Sequence, residues 1–218
     1  ISKKIRKTIL NTIYTAKTGH IGGSLSCVDI LISLYFGKHL KFDPKKPKLK
    51  DRDRLIVSKG HATAAYYSVL AHLGFIKISE LQTYCRNNTR LATHLSGSVP
   101  GVEFDTGSLG HGLGIACGLA YSAKIDKKKY KVFALISDGE LYEGSVWEAL
   151  LFASHYKLNN LIIIVDRNNQ IVMDKTEDCI KLNPLEKKFK SFGYKTFQIN
   201  GHSFKDLDRV FKKIMKKK

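Results

Sequence analysis

A small set of oxygen donors between residues 137 and 170 has the types and spacing to hold a divalent cation against a phosphate. The run Ser137-Asp138-Gly139-Glu140-Leu141-Tyr142-Glu143-Gly144 follows one apolar stretch, and Asp166-Arg167-Asn168-Asn169-Gln170 follows another. The segment between them has the composition of a helix, so the whole reads as a strand–helix–strand unit. In a right-handed unit of that kind, consecutive parallel strands end on the same edge of the sheet, and Asp138 and Asn168 emerge side by side. One carboxylate, one amide oxygen and a nearby main-chain carbonyl form half a shell of hard oxygen ligands. That shell is too poor in charge for a calcium cage, but it suits Mg²⁺ that completes its octahedron with phosphate oxygens. The expected chemistry is therefore a Mg²⁺-diphosphate site, with Gly139 allowing close backbone approach and the following helix start adding a field favourable to anions.

The elements that must position these residues follow from periodicity. Residues 4–17 place Ile5, Ile9 and Ile13 on one helix face, with Leu10 and Tyr14 beside them. The Gly-rich stretch 18–26 is read as a break, and residues 28–36 as a nearly all-apolar buried helix. A charged, proline-containing loop spans 43–54, a short strand 55–57, a turn at Gly60-His61 and a helix 62–73. Residues 87–110 form a long loop of the kind that tends to carry function. The second half alternates strand 132–136, helix 143–156, strand 161–165, helix 184–192, strand 194–199 and helix 204–215. Continuous apolar strands alternating with helices imply an α/β fold, doubly wound, with a mostly parallel sheet between helical layers. No linker or repeat divides the chain, so residues 1–218 are expected to form a single cofactor-binding domain.

Composition narrows the function classes. The 218 residues are 43% hydrophobic and 26% charged, which excludes disordered and low-complexity classes. The longest charge-free apolar runs fall far short of the roughly 20 residues of a membrane span. The chain opens on Ile1 rather than Met and is read as a trimmed fragment. Cys27, Cys85, Cys117 and Cys179 are 58, 32 and 62 residues apart, with no C-x-x-C, and are read as small buried residues of a chain from a cytoplasmic or other reducing compartment. The formal net charge of +18 raises nucleic acid as a partner, yet the lysines cluster at 41–54, 124–131 and 181–218 without interleaved aromatics or a DNA-reading motif. They are read as solvated surface, with Lys216 to Lys218 a solvated tail. Residues 132–156 stand apart, holding no Lys or Arg but four acids.

The segment from Ser137 to Asn168 resembles the thiamine-diphosphate fingerprint, a G-D-G followed about thirty residues later by an asparagine, with Ser137 in place of the first glycine. Three further stretches make the resemblance one to transketolase. Thr18-Gly19-His20-Ile21-Gly22-Gly23 is similar to its S-G-H-P-G loop. Asp51-Arg52-Asp53-Arg54-Leu55-Ile56-Val57-Ser58-Lys59-Gly60-His61 is similar to N-R-D-R-F-x-L-S-x-G-H. Pro100-Gly101-Val102-Glu103 through Thr106-Gly107-Ser108-Leu109-Gly110-His111-Gly112 is similar to P-G-V-E-x-x-T-G-x-L-G-Q-G. The resemblance implies a thiamine-diphosphate-binding fold in which Asp138, Asn168 and the carbonyl of Gln170 ligate Mg²⁺, or Ca²⁺ or Mn²⁺ in its place. It implies that Gly139, Asn168 and His61 meet the diphosphate, and that Gly107, Ser108 and Leu109 meet the aminopyrimidine through their backbone. By the same resemblance His20 and His94 are expected to face the reacting carbon, although Thr93 and Leu95 depart from the family's flanks of the second histidine. Glu143 matches an acid at the contact with the next subunit.

The implied reaction moves a two-carbon ketol unit from a ketose phosphate to an aldose phosphate, as in the pentose phosphate pathway. The family's activating glutamate lies in a pyrimidine-binding domain that these residues do not include. The resemblance therefore implies a partner domain or subunit carrying it, in a dimer of such pairs, with neither nucleic acid nor membrane as partner. The alternatives are the equivalent part of deoxyxylulose-phosphate synthase or an oxo-acid dehydrogenase, and a basic nucleic-acid-binding module. His39, His72, His155 and His202 are read as ordinary hydrogen-bonding histidines, and Trp147 and Glu148 as packing or interface residues.

Overall fold

The computed structural model describes residues 1–216; the last two lysines of the expected tail, Lys217 and Lys218, lie outside the described residues. Chain contacts fall into two compact units, one built from Ile1–Arg52, Gly60–Gly107 and the chain from Ile199 onward, the other from Asp53–Lys59 and Ser108–Gln198.

The first unit is helical. Helix α1 (Ser2–Ala16) turns Ile5, Ile9 and Ile13 inward as the i, i+4, i+8 spacing requires, and packs on α2 (Ile21–Phe36) and α3 (Thr63–Leu73). Ten residues of α2 are buried, including Asp29, whose carboxylate accepts from Ser2 Oγ at 2.9 Å, from the Arg6 guanidinium and from the His202 ring. The Tyr35 and Tyr66 hydroxyls meet at 2.8 Å, and Tyr66 donates on to Gly101 O. Gly101 is obligatory there, since its φ is +93° and a Cβ would sit 2.7 Å from Leu70. Two of the recurring motifs meet through Arg52, which forks onto Glu103 with one bond of 2.8 Å.

Helix α2 begins at Ile21, inside the stretch expected to break it. Propensity disfavours Gly22 and Gly23 in a first helical turn, but a Cβ on Gly23 would stand 2.5 Å from the His61 ring, so packing against that ring overrides propensity.

The second unit holds three parallel strands, β1 (Arg54–Val57), β2 (Val132–Ser137) and β3 (Leu161–Asp166), in the order β1-β2-β3. Ile56 pairs with Ala134 and Ala134 with Ile163, so the carboxyl ends of β2 and β3 lie level. All six residues of β2 are buried. Val132, Ala134 and Ile136 share a core with Leu113, Ala116 and Ala120 of α4 (Gly112–Ile125) and with Val146, Ala149 and Leu150 of α5 (Gly144–His155). The small face of α4 lets it approach the strands, and a Cβ on Gly112 would collide with Ser58 at 2.4–2.7 Å. Two short helices, α6 (Thr176–Cys179) and α7 (Leu185–Ser191), follow β3. Helix α8 (Phe204–Met215) returns to the first unit, with its start capped by Ser203 and with Leu207, Val210 and Phe211 buried.

The α/β class and parallel sheet are as the sequence implies, but residues 194–199 form no strand. Tyr194 instead donates its hydroxyl to Leu150 O at 2.8 Å, and Thr196 bonds Glu186. Side-chain contacts with the neighbouring helices thus hold a segment whose composition suits a strand. Cys27 and Cys117 are buried, whereas Cys179 is exposed, contrary to its expected burial; none of the four forms a disulfide among the described residues. No helix of the described residues is long and apolar enough to cross a membrane.

With β2 buried on both faces, Leu135→Ala should destabilise the chain by about 2–5 kcal/mol, the range for deleting a buried leucine side chain. Urea unfolding checks this, and a loss below about 1 kcal/mol would mean that the strand does not sit in the core.

Candidate active site

At the carboxyl edge of the sheet, β2 delivers Asp138 and β3 delivers Asn168. Asp138 is fully buried, and its carboxylate accepts from two main-chain amides, Gly139 N at 3.1 Å and Asn169 N at 2.8 Å. Burial pushes its pKa above the ordinary carboxylate value, opposed by the Asn169 amide and reinforced by the neighbouring Asp166. Among the described residues no ion pair involves Asp138. The Asn168 amide oxygen accepts from Gln170 N at 2.9 Å, closing a turn in which Asn169 takes the left-handed conformation at φ +60°. Gln170 then starts a tight hairpin, bridged to Lys175. A Cβ on Gly139 would lie 3.1 Å from the Ile171 side chain. Glu143 and Ser108 are exposed, Leu109 is half-buried, and Ser145 donates to Gly110 O at 3.0 Å.

Two further carboxylates at this edge were not singled out from the sequence. Asp166 is paired with Lys59, whose side chain has no exposed surface. Glu140 is likewise fully buried and accepts hydrogen bonds from Ser58, Gly110 and Ser137. Lys59 stands inside a recognised motif, at the position the family pattern leaves open, and nothing in the sequence says that it turns inward.

The donor set fits the group the sequence implies. A buried carboxylate without a cationic partner is costly, so Asp138 is suited to a divalent ion, and amide and main-chain oxygens are appropriate companions for Mg²⁺. Among the described residues no cluster of three or more His, Cys, Asp or Glu side chains could hold a metal.

In the other unit three histidines converge. The His20 ring lies 5.5 Å from that of His61 and 6.0 Å from that of His94, centroid to centroid. Glycines make the room: a Cβ on Gly107 would stand 2.9 Å from the His94 ring, and one on Gly60 would stand 2.5 Å from the Thr106–Gly107 backbone. Behind the rings sits a layer of buried hydroxyls that sequence patterns do not reveal. Thr63 Oγ1 lies 2.7 Å from the Tyr84 hydroxyl and donates to Thr93 O, while Tyr67 donates to His94 O at 3.4 Å and accepts from Ser96 N. Burial pushes the Tyr67 hydroxyl up to about 12, so it remains a donor at neutral pH. The Tyr84 hydroxyl also backs Gly19, whose φ is +132°. One tyrosine thus supports both the His20 turn and the His94 segment.

Burial lowers the pKa of His20, and the charge of His94 lowers it further. Of the histidines read as ordinary, His39 faces Asp208, His72 lies 3.0 Å from Thr8 Oγ1, His202 binds Asp29 and His155 stacks edge-on with Tyr156. Trp147 packs among Phe189 and Phe192 and donates to Leu141 O.

A parallel-sheet α/β unit with a buried carboxylate at its ligand-binding edge, in a chain that also carries a histidine cluster, defines a class of cofactor-dependent enzyme domains. The family model "Transketolase, thiamine diphosphate binding domain" matches residues 1–218. An apulose-4-phosphate transketolase subunit from Phocaeicola vulgatus is 41% identical over 213 residues, covering 98% of this chain and 75% of that one. Human transketolase is 36% identical over 211 residues, covering 96% of this chain and 34% of that one. The solved transketolase of Campylobacter jejuni superposes with a TM-score of 0.94 at 32% identity, over 99% of this chain and 35% of that one. This chain belongs to the transketolase family, as its thiamine-diphosphate-binding domain, and spans about a third of the solved enzymes it matches.

Proton NMR should show His20 titrating below the ordinary value of about 6.5. In His94→Asn the His20 pKa should move upward, because one positive neighbour is gone, yet stay below 6.5, because burial remains. An unchanged His20 pKa would show that the rings do not interact.

Proposed function

We propose that residues 1–218 form the cofactor-binding section of a two-component transketolase that moves a two-carbon ketol unit from a ketose phosphate to an aldose phosphate. The observation that carries the reading is the buried Asp138 at the carboxyl edge of β2, which no ion pair among the described residues balances, one strand from Asn168. In this reading Asp138, Asn168 and the Gln170 carbonyl hold Mg²⁺, or Ca²⁺ or Mn²⁺, while Gly139, Asn168 and His61 meet the diphosphate. The Gly107, Ser108 and Leu109 backbone meets the aminopyrimidine. When bound, thiamine diphosphate supplies the carbanion that this chemistry needs.

The chain's own residues supply orientation and proton handling. His20 and His94 bind substrate hydroxyls, and the lowered pKa of His20 leaves its ring neutral near pH 7, free to accept a proton. The hydroxyl layer of Thr63, Tyr67 and Tyr84 holds both histidine segments in place. The surplus of lysines favours encounter with phosphorylated sugars.

The partner is a chain carrying the family's activating glutamate, two such pairs forming the dimer. Coverage of 34% of human transketolase but 75% of the Phocaeicola vulgatus subunit supports this division. So does the surface of α5, where Leu151 and Phe152 are exposed and where the run 132–156 has no basic residue in a chain of net charge +18. Glu143 stands at its start, the acid expected at the subunit contact. Free cysteines suit a reducing, cytoplasmic setting.

Calorimetric titration of thiamine diphosphate with Mg²⁺, in the presence of the partner subunit, tests the reading. Wild type should bind in a Mg²⁺-dependent manner, and Asp138→Ala and Asn168→Ala should each weaken binding at least tenfold. Binding that ignores Mg²⁺ or survives both substitutions would contradict it.

A further inference from the structure

Glu140 accepts four hydrogen bonds at the sheet edge, and no role assigned above uses it. It has no exposed surface, and among the described residues no ion pair involves it. Its Oε1 accepts from the Ser58 hydroxyl and from Gly110 N at 3.1 Å, and its Oε2 accepts from Ser137 N at 2.9 Å and Ser137 Oγ at 3.3 Å. Four donors from three separate segments therefore converge on one carboxylate. Bonds to a carboxylate are roughly twice as strong as neutral ones, which compensates the burial of a charge that no cation balances.

The three segments are those that the cofactor reading depends on. Ser58 immediately follows β1 and precedes Lys59, Ser137 immediately precedes Asp138, and Gly110 closes the turn that begins at Gly107. Gly110 is held from every side: its φ is +85°, a Cβ would stand 2.6 Å from that of Glu143, its carbonyl accepts from Ser145 and its amide donates to Glu140. The residue that departs from the G-D-G fingerprint, Ser137, directs both its amide and its hydroxyl at the same carboxylate.

We infer that Glu140 is a positioning residue for thiamine-diphosphate binding, its carboxylate fixing the Ser137–Asp138 ligand strand end and the Gly110 turn against each other. This rests on the cofactor reading above. An amide in its place offers one accepting oxygen and an NH₂ that confronts a main-chain N–H, so the clamp opens without loss of side-chain volume.

The experiment uses the chain with its partner and two probes, Mg²⁺-thiamine diphosphate and Mg²⁺-pyrophosphate. Glu140→Gln should weaken thiamine diphosphate at least tenfold and pyrophosphate less, because pyrophosphate does not use the Gly110 turn. Ser58→Ala, which removes one side-chain donor, should weaken thiamine diphosphate about threefold. Ser137→Gly, which keeps the main-chain donor, should stay within twofold of wild type. Hydrogen exchange at the Gly110 and Ser137 amides should rise at least tenfold in Glu140→Gln without either probe.

A folded Glu140→Gln chain with wild-type affinity for both probes, or with affinity lost only in proportion to melting temperature, overturns the inference. If Glu140→Gln does not fold, unchanged affinity in Ser58→Ala overturns it. If wild type binds neither probe, the cofactor reading fails, while unchanged amide exchange in Glu140→Gln separately overturns the clamp.

Discussion

Asp138, Glu140 and Asp166 are all buried at the carboxyl edge of one small sheet, where the charge of each needs compensation. Each has a different compensation. Asp166 has the ammonium of Lys59, Glu140 has four neutral donors, and Asp138 has two main-chain amides and, among the described residues, no ion pair, with the Arg167 charge acting on it only at longer range. The first two arrangements close within the chain. The third leaves a carboxylate whose pKa is raised by burial. The rest of the second unit serves that edge: level parallel strands place the carboxylate beside the amide, and the small face of α4 lets the helix start close on Ser58.

The first unit solves a different problem, the convergence of three imidazoles at ring distances of 5.5 and 6.0 Å. Side chains that large converge only where the backbone between them carries nothing, which is why Gly23, Gly60 and Gly107 stand where they do. The Thr63 and Tyr67 hydroxyls behind them donate to main-chain oxygens of Thr93 and His94, and Tyr84 meets Thr63, so the His94 segment is held through its backbone.

Much of this was legible in the sequence because it rests on local patterns. The 3.6-residue spacing of Ile5, Ile9 and Ile13 and the continuous apolar runs of the three strands read directly, as did the D-G and D-x-N ends that the sheet brings level. What did not read was decided by packing. The first turn of α2 runs through Gly23 because His61 needs the space, and residues 194–199 gave up a ladder for contacts with Leu150 and Glu186. Lys59, Glu140 and Tyr84 were missed because burial of a charge or a hydroxyl leaves no periodic trace; each sat in or beside a recognised motif, and only the fold turned it inward.

A crystal structure of the chain grown with Mg²⁺ and thiamine diphosphate tests the central claim, that Asp138 is a cation ligand, most directly. The account predicts a metal about 2.0–2.1 Å from oxygens of Asp138, Asn168 and Gln170, completed by diphosphate oxygens. A bound diphosphate whose metal lies away from Asp138, with that carboxylate still held by the Gly139 and Asn169 amides alone, would contradict it.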